Sequence, residues 1–260
     1  MKANQKSPVV LMYHGIISDL EGPPTKREIG AELYDVSLEN FRAQLHWLKE
    51  NGFVVVTLFD KEEELSANKV IITFDDGEMN NCLNAFPELK SLGFCAYFFI
   101  IAKRVGKEGY MGWDELKKMH EAGMRIGSHG FSHEILTNLK NTQIEEELSA
   151  SKKFLQRNLG APIDSLSVPR GFCSDKIIQM AYEAGYKQIF ISDRPGDLTK
   201  KCYSRVAIKR EWTIQRFQQA MGGVVPRWER MTNLAKRSIT LVIRESGYNE
   251  LRKLIIKLFK

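Results

Sequence analysis

Five times along this chain a stretch of helical periodicity closes on a glycine: Asn51-Gly52, Leu92-Gly93, Ala122-Gly123, Leu159-Gly160 and Ala184-Gly185. Glycine suits the left-handed residue that commonly ends a helix. The stretches around these signals, 38–49, 80–92, 113–121, 142–158 and 175–184, carry apolar residues at spacings of three and four. An apolar run follows most of the glycines: Phe53–Val56, Phe94–Ile101, Met124–Ile126 and Tyr186–Ile191. Helix alternating with strand in this way argues for a parallel sheet wrapped by helices. The expected fold class is α/β, a distorted, incomplete (β/α) barrel, with an open doubly wound sheet as the alternative. No GxGxxG or GxxxxGK[ST] run marks a nucleotide site. At 260 residues and 43% hydrophobic, the chain can bury one large core.

Two further segments carry chemistry. Thr73-Phe74-Asp75-Asp76-Gly77 ends the apolar run that begins at Val70, and Ser128-His129-Gly130-Phe131-Ser132-His133 follows the run Met124–Gly127. Two adjacent carboxylates and an HxxxH pair can supply three ligands to a divalent ion and leave one carboxylate free. A catalytic zinc-type ion takes about three protein ligands and keeps an open position for water. A carboxylate next in sequence to a ligand carboxylate is well placed to act as base on that water. The histidines share a face if their segment makes a helical turn, but Gly130 makes a loop equally acceptable. In a barrel, residues at the C-terminal ends of strands gather on one face, where catalysis is found.

The segment Val70–Gly77 resembles the first motif of the polysaccharide deacetylase family, carbohydrate esterases that share the NodB homology domain. His129 and His133 match that family's His-Ser/Thr-x-x-His motif, although Gly130 stands where Ser or Thr is usual. Val9–Ile16 resembles the opening strand of one branch, and Ser167-Val168-Pro169-Arg170-Gly171-Phe172 a variant of the Pro-centred third motif. The match runs in order over roughly residues 8–210. The resemblance implies a barrel of the polysaccharide deacetylase type over residues 1–225, with Asp76, His129 and His133 as metal ligands and Asp75 as general base. It implies a divalent ion, Zn before Co, Ni or Fe, and hydrolysis of an N-acetyl group on an amino sugar or glycan precursor. The backbone N–H of Arg170 would contact the oxyanion, a contact of a type that contributes ~3 kcal/mol. A plain strand-ending turn is the structural reading of Pro169-Arg170-Gly171.

Two departures from the family pattern stand out. Many members carry an arginine two residues before the motif proline, paired with the base; here that position is Ser167. Many also carry a late Leu-x-His as general acid, whereas the five histidines of this chain end at His133. His14, at the end of the run Pro8–Tyr13, is the expected replacement acid. Arg205, within Tyr203–Ile208, either pairs with Asp75 or is an ordinary exposed strand arginine. These departures keep two other readings open: a catalytically weak carbohydrate-binding relative, and a deformylase or O-acetyl esterase using the same residues.

Residues 226–260 hold nine Lys and Arg against three acids, which equals the whole-chain net charge of +6, so residues 1–225 sum to zero. Leu251, Leu254, Ile255, Leu258 and Phe259 fall on one helical face of this basic C-terminal extension. Such a helix either packs on the barrel or lies on an anionic membrane surface, each basic residue there contributing ~1 kcal/mol. A lipid-linked substrate would suit the second case; few aromatics interleave the basic residues, so nucleic acid is not an expected partner. Met1–Ser7 lacks the features of a signal peptide. Cys82, Cys95, Cys173 and Cys202 show no CxxC spacing and read as free thiols, which suits a cytoplasmic protein, at most peripheral at the inner face of the membrane. The loop Ser18–Tyr34 follows His14 and is expected to overhang the cleft. Trp113 reads as a helix-start or core residue before a sugar-stacking one.

Overall fold

The computed structural model describes residues 8–18, 27–28, 30–57, 68–192 and 194–223. Its strands are β1 (Val9–Tyr13), β2 (Ile16–Ile17), β3 (Val36–Ser37), β4 (Val54–Val55), β5 (Lys69–Phe74), β6 (Tyr97–Ile100), β7 (Arg125–Ser128), β8 (Ser165–Ser167), β9 (Gln188–Ile191), β10 (Cys202–Ser204) and β11 (Val206–Ala207). Its α-helices are α1 (Leu38–Glu50), α2 (Phe86–Leu92), α3 (Trp113–Glu121), α4 (Asn141–Leu159), α5 (Asp175–Glu183) and α6 (Ile214–Met221).

The main sheet runs β10-β9-β8-β7-β6-β5-β1-β11, and every pairing in it is parallel. One residue, Arg205, separates β10 from β11. The first half of that stretch therefore pairs with β9 and the second half with β1, so the strand order returns on itself. This is a nearly closed barrel, and the open doubly wound alternative is excluded. β4 pairs with the start of β5, where Val54 faces Lys69. Because β1 lies along the other edge of β5 from Val70 to Phe74, β4 occupies the edge that β6 takes further along. β2 and β3 form a small separate ladder.

The strands are apolar on both faces, as parallel strands covered by helices are. Val9, Leu11, Tyr13, Val70, Ile72, Phe74, Phe98 and Ile100 join the cluster that contains the buried helix residues, such as Phe41 and Leu45 of α1 and Leu148 and Leu155 of α4. Their alternates Val10, Ile71, Tyr97, Phe99, Phe190 and Tyr203 form a second cluster inside the barrel. The Tyr97 and Phe99 rings stack with centroids 5.9 Å apart, and Phe190 lies 5.0 Å from Phe99. A Cβ on Gly127 would sit 2.6 Å from the Phe99 ring and from Ser165 Oγ, so only glycine leaves room for this aromatic floor.

All five glycines that close the helical stretches have φ between 72° and 91°, the left-handed cap expected of them. Ser37 and Ser174 begin α1 and α5 by accepting from the backbone N–H groups of Asn40 and Ile177. The stretch 80–92 differs from a plain helix, because Asn81–Ala85 forms a π turn before α2. Its asparagines turn inward: Asn81 Nδ2 donates to His14 O (2.7 Å), Asn84 Nδ2 donates to Ile16 O (2.7 Å), and Asn80 Oδ1 accepts from Ile16 N (3.0 Å). A widened turn of this kind is common beside functional sites. The extended part of 53–56 is shorter than its apolar run, with only Val54–Val55 in the ladder.

Trp113 opens α3 and packs on the core, its ring 5.6 Å from Phe154. Among the described residues no disulfide joins the four cysteines, and Cys82, Cys173 and Cys202 are buried. Among the described residues no helix is long and apolar enough to cross a membrane. The basic extension 226–260, with its helical and membrane readings, lies outside the described residues, as do Met1–Ser7 and positions 19–26 and 29 of the loop after His14.

Candidate active site

Asp75 and His129 each continue a strand by one residue. Asp75 N donates to Tyr13 O (3.0 Å) and His129 N to Ile100 O (2.8 Å), so the ladders fix both backbones. Asp76 then adopts a left-handed φ of 73°. In a strand, adjacent side chains point to opposite faces; here the left-handed turn brings both carboxylates toward one imidazole. Asp75 Oδ2 is 3.8 Å and Asp76 Oδ1 3.6 Å from His129 Nε2.

The HxxxH segment is a loop, not a helical turn. His133 has φ 71° and Gly130 φ 76°, and a Cβ on Gly130 would also meet Pro169 Cγ at 3.1 Å, which accounts for glycine where the motif usually has Ser or Thr. Glu147 of α4 holds this loop. Its carboxylate accepts from Phe131 N (2.9 Å), from Ser132 N (3.0 Å) and from the Ser132 hydroxyl.

Together these placements converge Asp76, His129 and His133, whose ligand atoms all lie within 4.8 Å of one another. His129 Nδ1 is 2.8 Å from Ser167 O, a pure acceptor, so this nitrogen carries the proton and Nε2 is bare. His133 Nδ1 lies 2.6 Å from Glu28 Oε1 and donates to it. Glu28 is ionised: burial opposes this, but the His133 hydrogen bond and the Arg170 and Arg104 charges outweigh it and hold the carboxyl below the usual range. The two Nε2 atoms lie 3.2 Å apart, and Asp76 Oδ1 is 3.6 Å from that of His129 and 3.5 Å from that of His133. Asp76 Oδ1 is itself buried without a hydrogen-bond partner among the described residues. A carboxylate oxygen and two imidazole nitrogens gathered at one buried point could hold a cation. Two imidazoles and a carboxylate are a donor set for a zinc-type divalent ion.

Comparison with known proteins agrees with this geometry. Residues 62–189 match the sequence profile of the family described as polysaccharide deacetylase. YxkH of Bacillus subtilis (strain 168), whose name assigns it provisionally to the polysaccharide deacetylases, is 30% identical over 193 residues, 72% of this chain and 64% of that protein. The chain belongs to the polysaccharide deacetylase family. The poly-beta-1,6-N-acetyl-D-glucosamine N-deacetylase of Staphylococcus aureus (strain N315) is 29% identical over 178 residues, 60% of this chain and 61% of that protein. The chain thus spans a little under two thirds of the length of these curated relatives. The crystal structure of a polysaccharide deacetylase from Bacillus cereus superposes with a TM-score of 0.71 at 29% identity, covering 84% of this chain and 69% of that one.

The arginine that many polysaccharide deacetylases carry at position 167 is supplied here from the barrel's closing strand. Arg205 is buried and grips Asp75 with both arms, Nη1 to Oδ1 at 2.7 Å and Nη2 to Oδ2 at 2.8 Å. Nη2 also donates to Ser167 Oγ (2.9 Å), so the guanidinium reaches the position whose side chain is missing. It rests 5.8 Å from the Phe99 ring centroid, on the aromatic floor. Burial pushes the Asp75 pKa up, but Arg205, with His129, outweighs it and holds the carboxyl below the usual carboxylate range. Burial lowers the His129 pKa to about 4, with Asp75 opposing, so its ring is neutral at pH 7.

His14 reaches the same site. It lies close enough to Asp76, Asp75, Arg205 and His133 for their charges to act on it, although burial, the largest effect, lowers its pKa. Its ring lies 4.8 Å from Tyr34, and among the described residues its Nδ1 is buried without a hydrogen-bond partner. Arg170 is the left-handed middle residue of a tight turn, Pro169–Gly171, with φ 59°. Its side chain turns to Glu28, Nη2 to Oε2 at 2.5 Å.

Four residues at the site carry no signal in the local sequence pattern. Glu28 binds His133, Arg170 and Arg104. Glu147 shapes the histidine loop. Glu78 and Arg27 join Asp35 in a buried network beside Asp76, with Arg27 bonded to Glu78 Oε1 at 2.6 Å and to both Asp35 oxygens. Burial pushes the Glu78 pKa up to about 7, with Arg27 opposing and Asp76 adding. The segment after His14 does reach the cleft, as its position in the sequence led us to expect, through Glu28.

Proposed function

We propose that this polysaccharide deacetylase is a metal-dependent amidohydrolase that removes acetyl groups from N-acetylated amino sugars in a glycan or its precursor. The observation that carries the reading is the convergence of the ligand atoms of Asp76, His129 and His133 within 4.8 Å of one another, beside an ionised Asp75. Zinc suits that donor set, with Co, Ni or Fe as chemically acceptable replacements. A bound divalent ion would polarise the acetyl carbonyl and acidify a water to a pKa of about 7.

The chain's own residues would do the rest. Asp75 accepts the proton of the attacking water; Arg205 keeps it ionised and orients both oxygens, at some loss of basicity. The Arg170 backbone N–H donates to the oxyanion as the carbonyl becomes tetrahedral, for about 3 kcal/mol. His14 delivers a proton to the departing amine. Burial disfavours its charged form, and the two neighbouring carboxylates favour it, which lets one ring hold and release a proton. The S. aureus relative, by its name an N-deacetylase of poly-beta-1,6-N-acetyl-D-glucosamine, supports an N-acetylated amino sugar as the substrate class.

Calorimetric zinc titration of the metal-stripped chain, followed by assay of acetate release from N-acetylglucosamine oligomers, tests the reading. One ion per chain, lost in His133→Ala, and acetate release that depends on that ion are expected. Absence of specific binding in the wild-type chain would overturn it.

A further inference from the structure

We infer that Glu28 is a positioning residue of the metal centre: its carboxylate fixes the His133 ring so that Nε2 faces the ion, while Arg104 and Arg170 fix the carboxylate. The inference rests on the reading of Asp76, His129 and His133 as ligands and extends it to a residue that no motif contains.

The two histidines differ in what orients them. His129 continues a strand, and its Nδ1 is tied to the backbone at Ser167 O, so the barrel itself sets its ring. His133 sits on a loop in a left-handed conformation, and the group at its Nδ1 is the side chain of Glu28, 105 residues earlier in the sequence. A ligating imidazole that donates its other N–H to a carboxylate is locked in one tautomer and is a stronger base toward the metal. Glu28 meets the geometric demand of that role at 2.6 Å.

Glu28 is held in turn from three sides. Oε1 accepts from Arg104 Nη2 (2.8 Å) as well as from His133, and Oε2 pairs with Arg170 Nη2 (2.5 Å). Its chain neighbour Arg27 is buried against Asp35 and against Glu78, two residues past Asp76. The segment that brings Glu28 to one ligand is thus anchored beside another. Arg170 also links the two halves of the proposed chemistry, because its side chain steadies Glu28 while its backbone N–H is assigned to the oxyanion. A simpler role for Glu28, neutralising two arginines, would leave the ligand geometry alone, and that difference is measurable.

The test is zinc calorimetry on the metal-stripped full chain, comparing the wild type with Glu28→Ala, Glu28→Gln and the remote control Glu39→Gln, with thermal melting of each metal-free protein. Glu28→Ala is expected to weaken zinc binding about 10–100-fold. Glu28→Gln, whose amide oxygen still accepts from Nδ1, should recover part of the loss, and Glu39→Gln should lose nothing. In nitrogen-15 NMR of the metal-free protein, the His133 Nδ1 proton should be observed in the wild type and exchange away in Glu28→Ala. Unchanged zinc affinity in both Glu28 variants overturns the inference while leaving the metal reading intact. A wild-type chain that binds no zinc overturns both. If Glu28→Ala fails to fold, Glu28→Gln decides, since a loss of affinity there cannot come from a missing side chain.

Discussion

The two halves of the site are built differently. On one side, Asp75, His129 and Arg205 each continue a strand, their N–H groups donating to Tyr13, Ile100 and Ile191. On the other, Asp76 and His133 lie in left-handed backbone, and His133 is held by carboxylates from elsewhere, Glu28 directly and Glu147 through the loop. The barrel therefore fixes the proposed base as part of its own closure, whereas the ligand set depends on side chains that bridge separate segments. Perturbing Asp75 or Arg205 in the first half should register in stability and turnover, and perturbing the side chains that hold the second half in metal affinity.

The largest expected effect separates the two adjacent carboxylates. Asp75→Asn should lower turnover by about 10²–10⁴-fold, the usual contribution of a positioned base, while zinc affinity stays nearly intact. Asp76→Asn should lose both. Kinetics and calorimetry on the same preparations check this, and retained activity in Asp75→Asn would sink the mechanism. Next comes Arg205→Met, which leaves Asp75 buried without its partner; breaking such a pair costs about 3–5 kcal/mol, read from urea unfolding of the metal-free protein. Arg205→Lys keeps the charge without the two-armed grip and should fall between.

Acid should also distinguish the halves. The folded-state pKa of His129 is depressed to about 4 because its buried ring resists protonation, whereas the unfolded chain takes up that proton near pH 6.5. The unfolded state thus binds more protons between these values. The contribution of His129 to the stability of the metal-free protein should be full above pH 6.5 and be lost as pH drops toward 4, about 3 kcal/mol in total, while Glu78, whose folded pKa is raised to about 7, acts in the opposite direction over nearly the same range. Urea midpoints measured from pH 7 to 4 test this. His129→Asn should remove its contribution, so that the difference between wild type and variant shrinks toward pH 4, and a pH dependence identical to the wild type's would assign no such role to His129.

The same division decides what could be read in the sequence. Asp75, Asp76 and His129 end apolar runs, so their shared face follows from strand direction once a barrel is inferred, and the five glycine caps mark the alternation that implies one. Arg205 was only half legible. Its place in a strand-like run fits a surface arginine as well as a partner for Asp75, and the closure of the barrel at that residue decides between them. Glu28 was not legible, since a contact across 105 residues leaves no periodic trace. Glu147 lies in the acidic run Glu145–Glu147 of an amphipathic helix, which looks like a solvated face until the histidine loop is folded against it.

Glu147 gives the smallest effect and the sharpest test of the division. A carboxylate can accept from Phe131 N, Ser132 N and the Ser132 hydroxyl at once, but a glutamine presents one acceptor and an amide whose hydrogens oppose those same donors. Glu147→Gln should therefore loosen the turn that carries His133 while leaving the Asp75–Arg205 pair untouched. Losing one or two such bonds costs about 1–2 kcal/mol, and the part felt at the ligand should weaken zinc binding by roughly tenfold or less. Saturating zinc should then restore turnover, because the base and its arginine have not moved. If turnover stays low at saturation, the loop carries part of the proton chemistry itself, and the separation between a barrel-fixed base and a loop-held ligand set does not hold.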